Sequence, residues 1–473
     1  MKKTKILVAL LLAFVMVFGV VSLVACDNGN GDGGNGGNGG NGGNGGNGGG
    51  GSNSKDTIQL LLWAPGNAMT FYKKWADKWA ESYTDAQGNK YSVKISMMEE
   101  GDVKQNIMQA PQDGADVFLL ADDQVADLAN AGILASLGNG ALAQDVKARN
   151  SESSVLSASY RRVNSDGEYL DEASTLYAYP MQADNTYYLF YNDEVFSEED
   201  VKTWDGIFAK LAQENEGLTG TDRKKVQFDY GTGWYAASWF FTFGGEVTEK
   251  TETFSNPEVG LKALQAAYEF SSRDDIAFQS PDDAKAGLLS GKTVAAVAGS
   301  WIYNNPDEDT LTGVVNNPHI KLTILPQIRL SDSEEYVQMR SFISSKLVGV
   351  NAQGAYLLAS HSLANYITSE EVQLDKALTL GAGPSNTVAA SNPQVAELPT
   401  VKVVAAQAKF ANPQINLPVG FWTAVQNAIN AVKYGAENVR NYFDASGKPI
   451  VGDETAGLTK LLGTLNTEMF ATL

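Results

Sequence analysis

The chain has 473 residues, a formal net charge of -20 and a sequence pI near 4.6, a balance that argues against nucleic acid or anionic lipid as a partner. Its single cysteine excludes an intrachain disulfide and a cysteine metal cluster. The length exceeds one ordinary core, so at least two lobes are expected.

The first segment, 1–25, sets Lys2, Lys3 and Lys5 ahead of an apolar run from Ile6 to Val24, the layout of a secretory signal peptide. That run is long enough to span a bilayer, so an uncleaved anchor stands as the alternative. Either way the lysines stay cytoplasmic and everything after Cys26 lies outside the membrane. Leu23-Val24-Ala25-Cys26 resembles the bacterial lipobox, which implies lipidation of Cys26. A diacylglyceryl group there would give lasting attachment, where one acyl chain holds only marginally. From Asp27 to Ser54 the composition is Gly, Asn, Asp and Ser, with no apolar surface to offset chain entropy. Residues 26–54 thus read as a lipidated cysteine and a tether, whose coil spans roughly 30 Å.

Ile58 to Trp63 reads as a buried strand, and Ala68 to Tyr83 carries Phe71, Tyr72, Trp75 and Trp79 at helical spacing. A strand over Tyr91–Met97, a short helix over Val103–Gln109, a strand over Asp116–Leu120 and a helix over Val125–Ala131 follow. The alternation predicts a parallel sheet covered on both faces. Tyr177 to Asn192 is extended and aromatic and reads as a crossing between lobes. Beyond it the pattern predicts helices over Trp204–Glu214, Trp234–Phe243, Pro257–Phe270 and Ala284–Leu289, with strands near Val226–Phe228 and Thr293–Val297. Ile320 to Leu325 returns the chain, and Phe421–Val432 and Leu458–Met469 are amphipathic helices.

Motifs for chemistry are sparse. Gly231-Thr232-Gly233-Trp234-Tyr235-Ala236 fits a loose dinucleotide fingerprint, but no acidic residue follows about 20 positions on. Gly291-Lys292-Thr293 fails the register of a phosphate loop, and Lys292 reads as a turn residue before a strand. His319 and His361, the only histidines, read as surface residues, and neither a Gly-x-Ser-x-Gly elbow nor a His-Glu-x-x-His motif occurs. No cofactor or metal is implied. Carboxylates are plentiful, which leaves a glycosidase pair open, because such pairs are defined by separation in space; Asp122-Asp123 and Asp282-Asp283 also suit helix N-termini. Trp63, Trp234, Trp239, Trp301 and Trp422 lie near element ends. Such rings serve either as core or as platforms for the flat C–H faces of sugars, whose hydroxyls want carboxylates or amides.

Five stretches, taken in order, resemble the maltose-binding-protein group of extracellular solute-binding proteins. They are Asp113-Gly114-Ala115-Asp116-Val117-Phe118 through Ala135, Tyr179-Pro180-Met181 through Asn192, Lys202-Thr203-Trp204, Ser290-Gly291-Lys292-Thr293 through Trp301, and Gly420-Phe421-Trp422. The resemblance implies an α/β, two-lobed periplasmic-binding-protein-like fold with a ligand cleft between the lobes. Lobe I is then 55–183 plus 328–385, and lobe II 184–327 plus 386–473. It implies a surface lipoprotein, lipid-anchored on the extracellular face of the bacterial cell membrane, that binds an oligosaccharide such as a malto-oligosaccharide. The protein would be a monomer, without catalysis, and would deliver the sugar to the permease of an ATP-binding-cassette importer. A surface-anchored glycoside hydrolase is the alternative.

By the same resemblance Trp301 and Trp422 are sugar platforms and Trp234 replaces a stacking tyrosine. Asp123 and Asp184 accept bonds from sugar hydroxyls, Asp184 standing where the family prototype has Glu, and Asn67 stands where it has Asp. Leu120 replaces a stacking Trp and Gln124 an Arg, so the first-lobe half of the site differs.

Overall fold

The computed structural model describes residues 57–164, 168–278, 281–303, 314–331, 334–415, 417–433, 442, 450 and 457–471. The expectations for the signal, Cys26 and the tether lie outside the described residues. Two sheets organise the rest. In the first, the strands Tyr91–Met97, Ile58–Ala64 and Val117–Ala121 run parallel. The long strand Ser341–Val350 then adds antiparallel to Val117–Ala121, and Ala178–Thr186 pairs with its other edge. The second sheet has the order Ile320–Thr323, Tyr188–Asn192, Thr293–Ala298, Lys225–Gln227 and Ile276–Ala277.

The expected parallel sheets are therefore mixed. Strand and helix alternation accounts for the parallel strands. Ser341–Val350 is buried along most of its length, and a strand buried on both faces shows no alternation by which sequence could reveal its direction. Most predicted elements agree to within a residue or two. Tyr91–Met97, Val103–Gln109 and Trp204–Glu214 match at both ends, and Ile320–Thr323 stops short of the predicted Leu325.

Each sheet has its own core. Leu60, Leu62, Trp75, Trp79, Phe118, Leu119 and Leu120 belong to the first. Trp204, Phe228, Trp239, Phe240 and Phe270 belong to the second, joined by Phe421, Ile429, Leu462 and Met469 from the two C-terminal helices. Only Tyr187 separates the first-sheet strand Ala178–Thr186 from the second-sheet strand Tyr188–Asn192, so the chain passes between sheets in one step. Ser341–Val350 passes back: Phe342 is buried in the second core and Leu347, Val348 and Val350 in the first.

Trp204 shows how local sequence places a core residue. Thr203 caps the helix Trp204–Glu214 by accepting a bond from the Gly206 N–H at 3.0 Å. The indole then stacks on Phe228 at 5.9 Å and 4° between planes and meets Phe270 edge-on at 4.9 Å. Truncation leaves a cavity that rigid neighbouring rings cannot fill. Trp204→Ala should cost about 3–5 kcal/mol, read as a lower denaturation midpoint; a loss below about 1 kcal/mol would mean the second core is not packed as described.

Candidate functional site

A cavity of about 1300 Å³ opens between the two sheets, at the ends of strands from both. Its first wall comes from turns that follow first-sheet strands. Asn67 lies in the turn Gly66–Ala68 after Ile58–Ala64, and Asp123 in the turn Asp122–Gln124 after Val117–Ala121. Glu99, Glu100 and Asp102 follow Tyr91–Met97 and line the same wall. Gln124, buried beneath them, donates to the carbonyls of Glu100 and Gly101 at 2.7 and 3.0 Å and accepts from the Lys104 N–H. It braces this acidic turn. Leu120 is fully buried in the first core and does not reach the cavity.

The opposite wall is aromatic. Trp234 stands in the first turn of the helix Gly233–Thr242, Trp422 in the first turn of Phe421–Lys433, and Trp301 in the turn Ser300–Ile302 after Thr293–Ala298. The rings of Trp234 and Trp301 lie 5.5 Å apart with 48° between planes. Trp301 folds back over Gly299, where a Cβ would meet its ring at 2.0 Å, so no larger residue fits beneath that indole.

Gly233 has a similar role. A Cβ there would lie 2.8 Å from the Trp422 carbonyl oxygen, and its N–H donates to Gln426 Oε1 at 3.0 Å. Gly233, one of the glycines that fit a dinucleotide fingerprint, thus lets two helix starts approach each other. Gly291, in the left-handed conformation at φ 74°, turns the chain from the helix Pro281–Ser290 into the next strand, and Lys292 beside it is exposed.

Indole edges are held by polar side chains. Trp422 Nε1 donates to Asp123 Oδ2 at 3.1 Å, and Trp234 Nε1 donates to Gln414 Oε1 at 2.8 Å. Burial pushes the Asp123 carboxyl above its ordinary range, against the bonds from Trp422 and Gln414 and the charge of Lys104. The Asn67 amide donates to the Trp301 carbonyl at 3.4 Å.

Five of the six expected ligand residues, Asn67, Asp123, Trp234, Trp301 and Trp422, therefore line one cavity. Asp184 does not. It is 2% exposed, its Oδ2 accepts from the Gly383 N–H at 2.5 Å, and burial raises its pKa. Its neighbour Asn185 lines the cavity instead, because successive strand residues face opposite sides. Sequence reasoning also missed Lys346 and Gln414, which reach the cavity from the crossing region; no motif surrounds either. Lys346 pairs with Glu100 at 3.2 Å, and its amine lies 5.9 Å over the Trp301 ring.

Of the remaining tryptophans near element ends, Trp239 is fully buried core and Trp63 packs against the first core. His319 is exposed as expected, beside Asp193 at 3.0 Å. His361 is corrected: it is half-buried, bonded to the Tyr179 hydroxyl at 2.9 Å, and burial lowers its pKa. Its helix packs its polar stretch inward on Tyr179. Among the described residues no cluster of His, Cys, Asp or Glu suits a metal, and no helix is long and apolar enough to cross a membrane.

Asp122, beside Asp123, is 4% exposed and accepts from the Ser345 N–H at 2.9 Å. Burial, with the Asp123 charge adding to it, pushes its carboxyl up to about 8. The folded form then holds a proton that the unfolded chain releases near pH 4. Stability from this group is complete below that value and is lost as pH rises towards about 8. Asp122→Asn mimics the protonated acid, so its melting temperature relative to the parent should rise between about pH 5 and pH 8. A pH-independent difference would show that Asp122 is ionised in the fold.

Residues 78–403 match the family model of the bacterial extracellular solute-binding proteins. Among the curated proteins none matches. Among solved structures, one described as a complex with acarbose is 24% identical, with a TM-score of 0.69, covering 88% of this chain and 99% of its own. The maltodextrin binding protein MalE1 from L. casei BL23 is 21% identical, with a TM-score of 0.64, over 88% of this chain and 100% of its own. The GacH receptor of Streptomyces glaucescens GLA.O, solved unliganded and with acarbose, is 17% identical, with a TM-score of 0.68, over 88% of this chain and 99% of its own. At these identities the likeness establishes the two-lobed fold.

Proposed function

We propose that this chain, which belongs to the bacterial extracellular solute-binding proteins, captures a carbohydrate, in the first place a malto-oligosaccharide, between its lobes and delivers it to the permease of an ATP-driven importer. The observation that carries the reading is the pairing of walls: three indoles face Asn67, Asp123 and a row of carboxylates across one cavity. Sugar rings need both kinds of surface, an apolar plane for their C–H faces and bidentate acceptors for their hydroxyls. The volume exceeds the usual 300–1,000 Å³ of drug-sized pockets and suits more than one sugar ring. Solved proteins of the same fold carry maltodextrin or acarbose in their descriptions.

In this reading Trp234, Trp301 and Trp422 supply the platforms, Asn67 and Asp123 meet hydroxyls, and Asn185 takes the place expected of Asp184. The protein binds without catalysis, works as a monomer and needs no cofactor. Its lobes divide near 55–183 plus 328–385 and 184–327 plus 386–473. The short helices Thr387–Ala390 and Pro393–Ala396 pack on Glu370–Leu380, which favours setting the last crossing just after them. Cys26 carries the lipid that holds the protein on the outer face of the cell membrane. In cells fed radiolabelled palmitate, the parent should incorporate label and Cys26→Ser should not; equal labelling would refute the anchor.

Titrating a glycan panel while following tryptophan fluorescence tests the function. Losing one well-buried anchor aromatic typically costs about 2 kcal/mol, or about thirtyfold in affinity. Trp301→Ala and Trp422→Ala should each weaken binding by that order, while Lys250→Ala, at an exposed position, should not. Unchanged affinity in both tryptophan variants would remove the site from this cavity, and release of shortened sugar would assign a hydrolase.

A further inference from the structure

We propose that the Lys346 amine and the Glu100 carboxylate form a donor–acceptor pair on the cavity floor that reads two neighbouring free hydroxyls of the sugar ring stacked on Trp301. The inference rests on the carbohydrate-binding reading and deepens it, by naming what the ligand must carry at one position. Lys346 lies on the strand Ser341–Val350 and Glu100 in the turn after Tyr91–Met97, and both line the cavity. Their side chains are 14% and 12% exposed, open enough to touch a ligand and covered enough that water screens the pair only in part.

The pair is loose. The amine meets the two carboxylate oxygens at 3.2 and 3.3 Å, where a charge-assisted bond is usually about 2.7–2.9 Å. Among the described residues no other group accepts from the amine, which leaves N–H capacity for a ligand. Nor does the shape of the turn require it. Gln124 already fixes that turn through the carbonyls of Glu100 and Gly101, and Glu99 accepts from the Gly66 N–H at 3.0 Å. Setting an amine here also has a cost, because its charge helps to draw down the pKa of the buried Lys376 beside it. Breaches of this kind belong to ligand sites more than to structural supports.

The third observation is the neighbouring ring. The amine lies 5.9 Å over the centre of the Trp301 ring, at the limit of about 6 Å within which an aromatic face holds a cation, so the indole does not anchor it. A pyranose that packs its C–H face on that indole carries its hydroxyls around its own rim, where a polar pair beside the indole meets them. Amine and carboxylate stand one hydrogen-bond length apart. Two neighbouring hydroxyls satisfy both at once, one accepting from Lys346 and the other donating to Glu100. A methylated or acylated oxygen has no proton to give the carboxylate, so the ring on Trp301 must be unsubstituted along that edge.

The test titrates the full chain with maltotriose and its monodeoxy analogues, each lacking one hydroxyl. In the parent, two analogues lacking adjacent hydroxyls of one ring should each bind about tenfold or more weaker than maltotriose. Lys346→Met should weaken maltotriose by a similar factor and abolish the penalty for one of the two. Lys346→Met/Glu100→Leu, which leaves no carboxylate without its counter-charge, should abolish both penalties and serves as the second variant should the single one misfold. Melting temperatures establish that the variants are folded. Affinity for maltotriose within about twofold of the parent in a folded Lys346→Met, or a uniform loss that leaves every analogue's penalty unchanged, would overturn the pair as a reader of hydroxyls. If maltotriose fails to bind the parent, the malto-oligosaccharide reading itself falls and the pair with it, an outcome told apart by the parent's titration alone.

Discussion

The strand Ser341–Val350 is shared by both cores, and the geometry of the cleft depends on that sharing. Phe342 near its start packs edge-on against Phe241, Phe421 and Trp422 of the second core. Seven residues on, Gly349 pairs with Phe118 and Ala178 in the first sheet. Its partner Ala178–Thr186 makes the same passage in the opposite direction and continues into the second sheet after Tyr187. Two strands joined by backbone bonds bend and twist as a pair, but a slip of one residue would turn every side chain to the wrong face. Relative movement of the lobes is thereby restricted to rotation about the crossing, without sliding. Trp422 touches Phe342, and Lys346 follows four residues later, so the aromatic wall and the cavity floor are both referenced to one strand.

The crossing also carries the most tightly packed charges near the cavity. Lys346 meets Glu100, while Lys376 donates to Gln182 Oε1 at 2.8 Å and to the Tyr72 hydroxyl at 3.0 Å. Asp184 lies among them, opposed by both lysines. Two acids balance two amines, so the buried group is neutral as a set. Burial still tells on its members: it pulls the Lys376 amine down to about 8, aided by Lys346, and pushes the Asp184 carboxyl up. Apolar replacements for such groups are often neutral in stability. What they would lose here is direction, because Gln182 and Asp184 come from one crossing strand, Lys346 from the other and Lys376 from the helix Glu370–Leu380. A set of paired charges fixes those elements at one mutual orientation, and the amine held over Trp301 is one result.

Much of this was legible in sequence where a single physical signal dominated. Phe71, Tyr72, Trp75 and Trp79 recur at helical spacing because one face of Met69–Ser82 is buried, and the helix follows. Asn67 and Asp123 were indicated by the family resemblance, and both stand in turns after strands, where side chains reach a cleft. Asp184 was misplaced because strand alternation sends it and Asn185 to opposite sides, and a family position off by one residue exchanges core for cavity. Trp234 and Trp239 lie on one helix, and composition alone did not separate platform from core. Five positions are about 140° past one full turn, so the two rings leave the helix in different directions. Gln414 gave no signal at all, since its partners, the Trp234 indole and the Ile343 carbonyl, are brought to it only by the fold.

In the proposed reading the two walls divide the work of recognition in a way that ties affinity to the lobe arrangement. All three cavity indoles come from second-lobe elements, whereas the carboxylates and the Asn67 amide come from first-lobe turns. A ring stacked on indole alone gains apolar burial but no fixed orientation, and a hydroxyl bonded to a carboxylate alone competes with water for little net gain. Only with the walls facing each other are both surfaces satisfied at once and water excluded from the polar contacts, where the lower local dielectric strengthens them. Binding energy is therefore released mainly in one relative orientation of the lobes, and an importer that recognises that orientation would distinguish the loaded protein without touching the ligand.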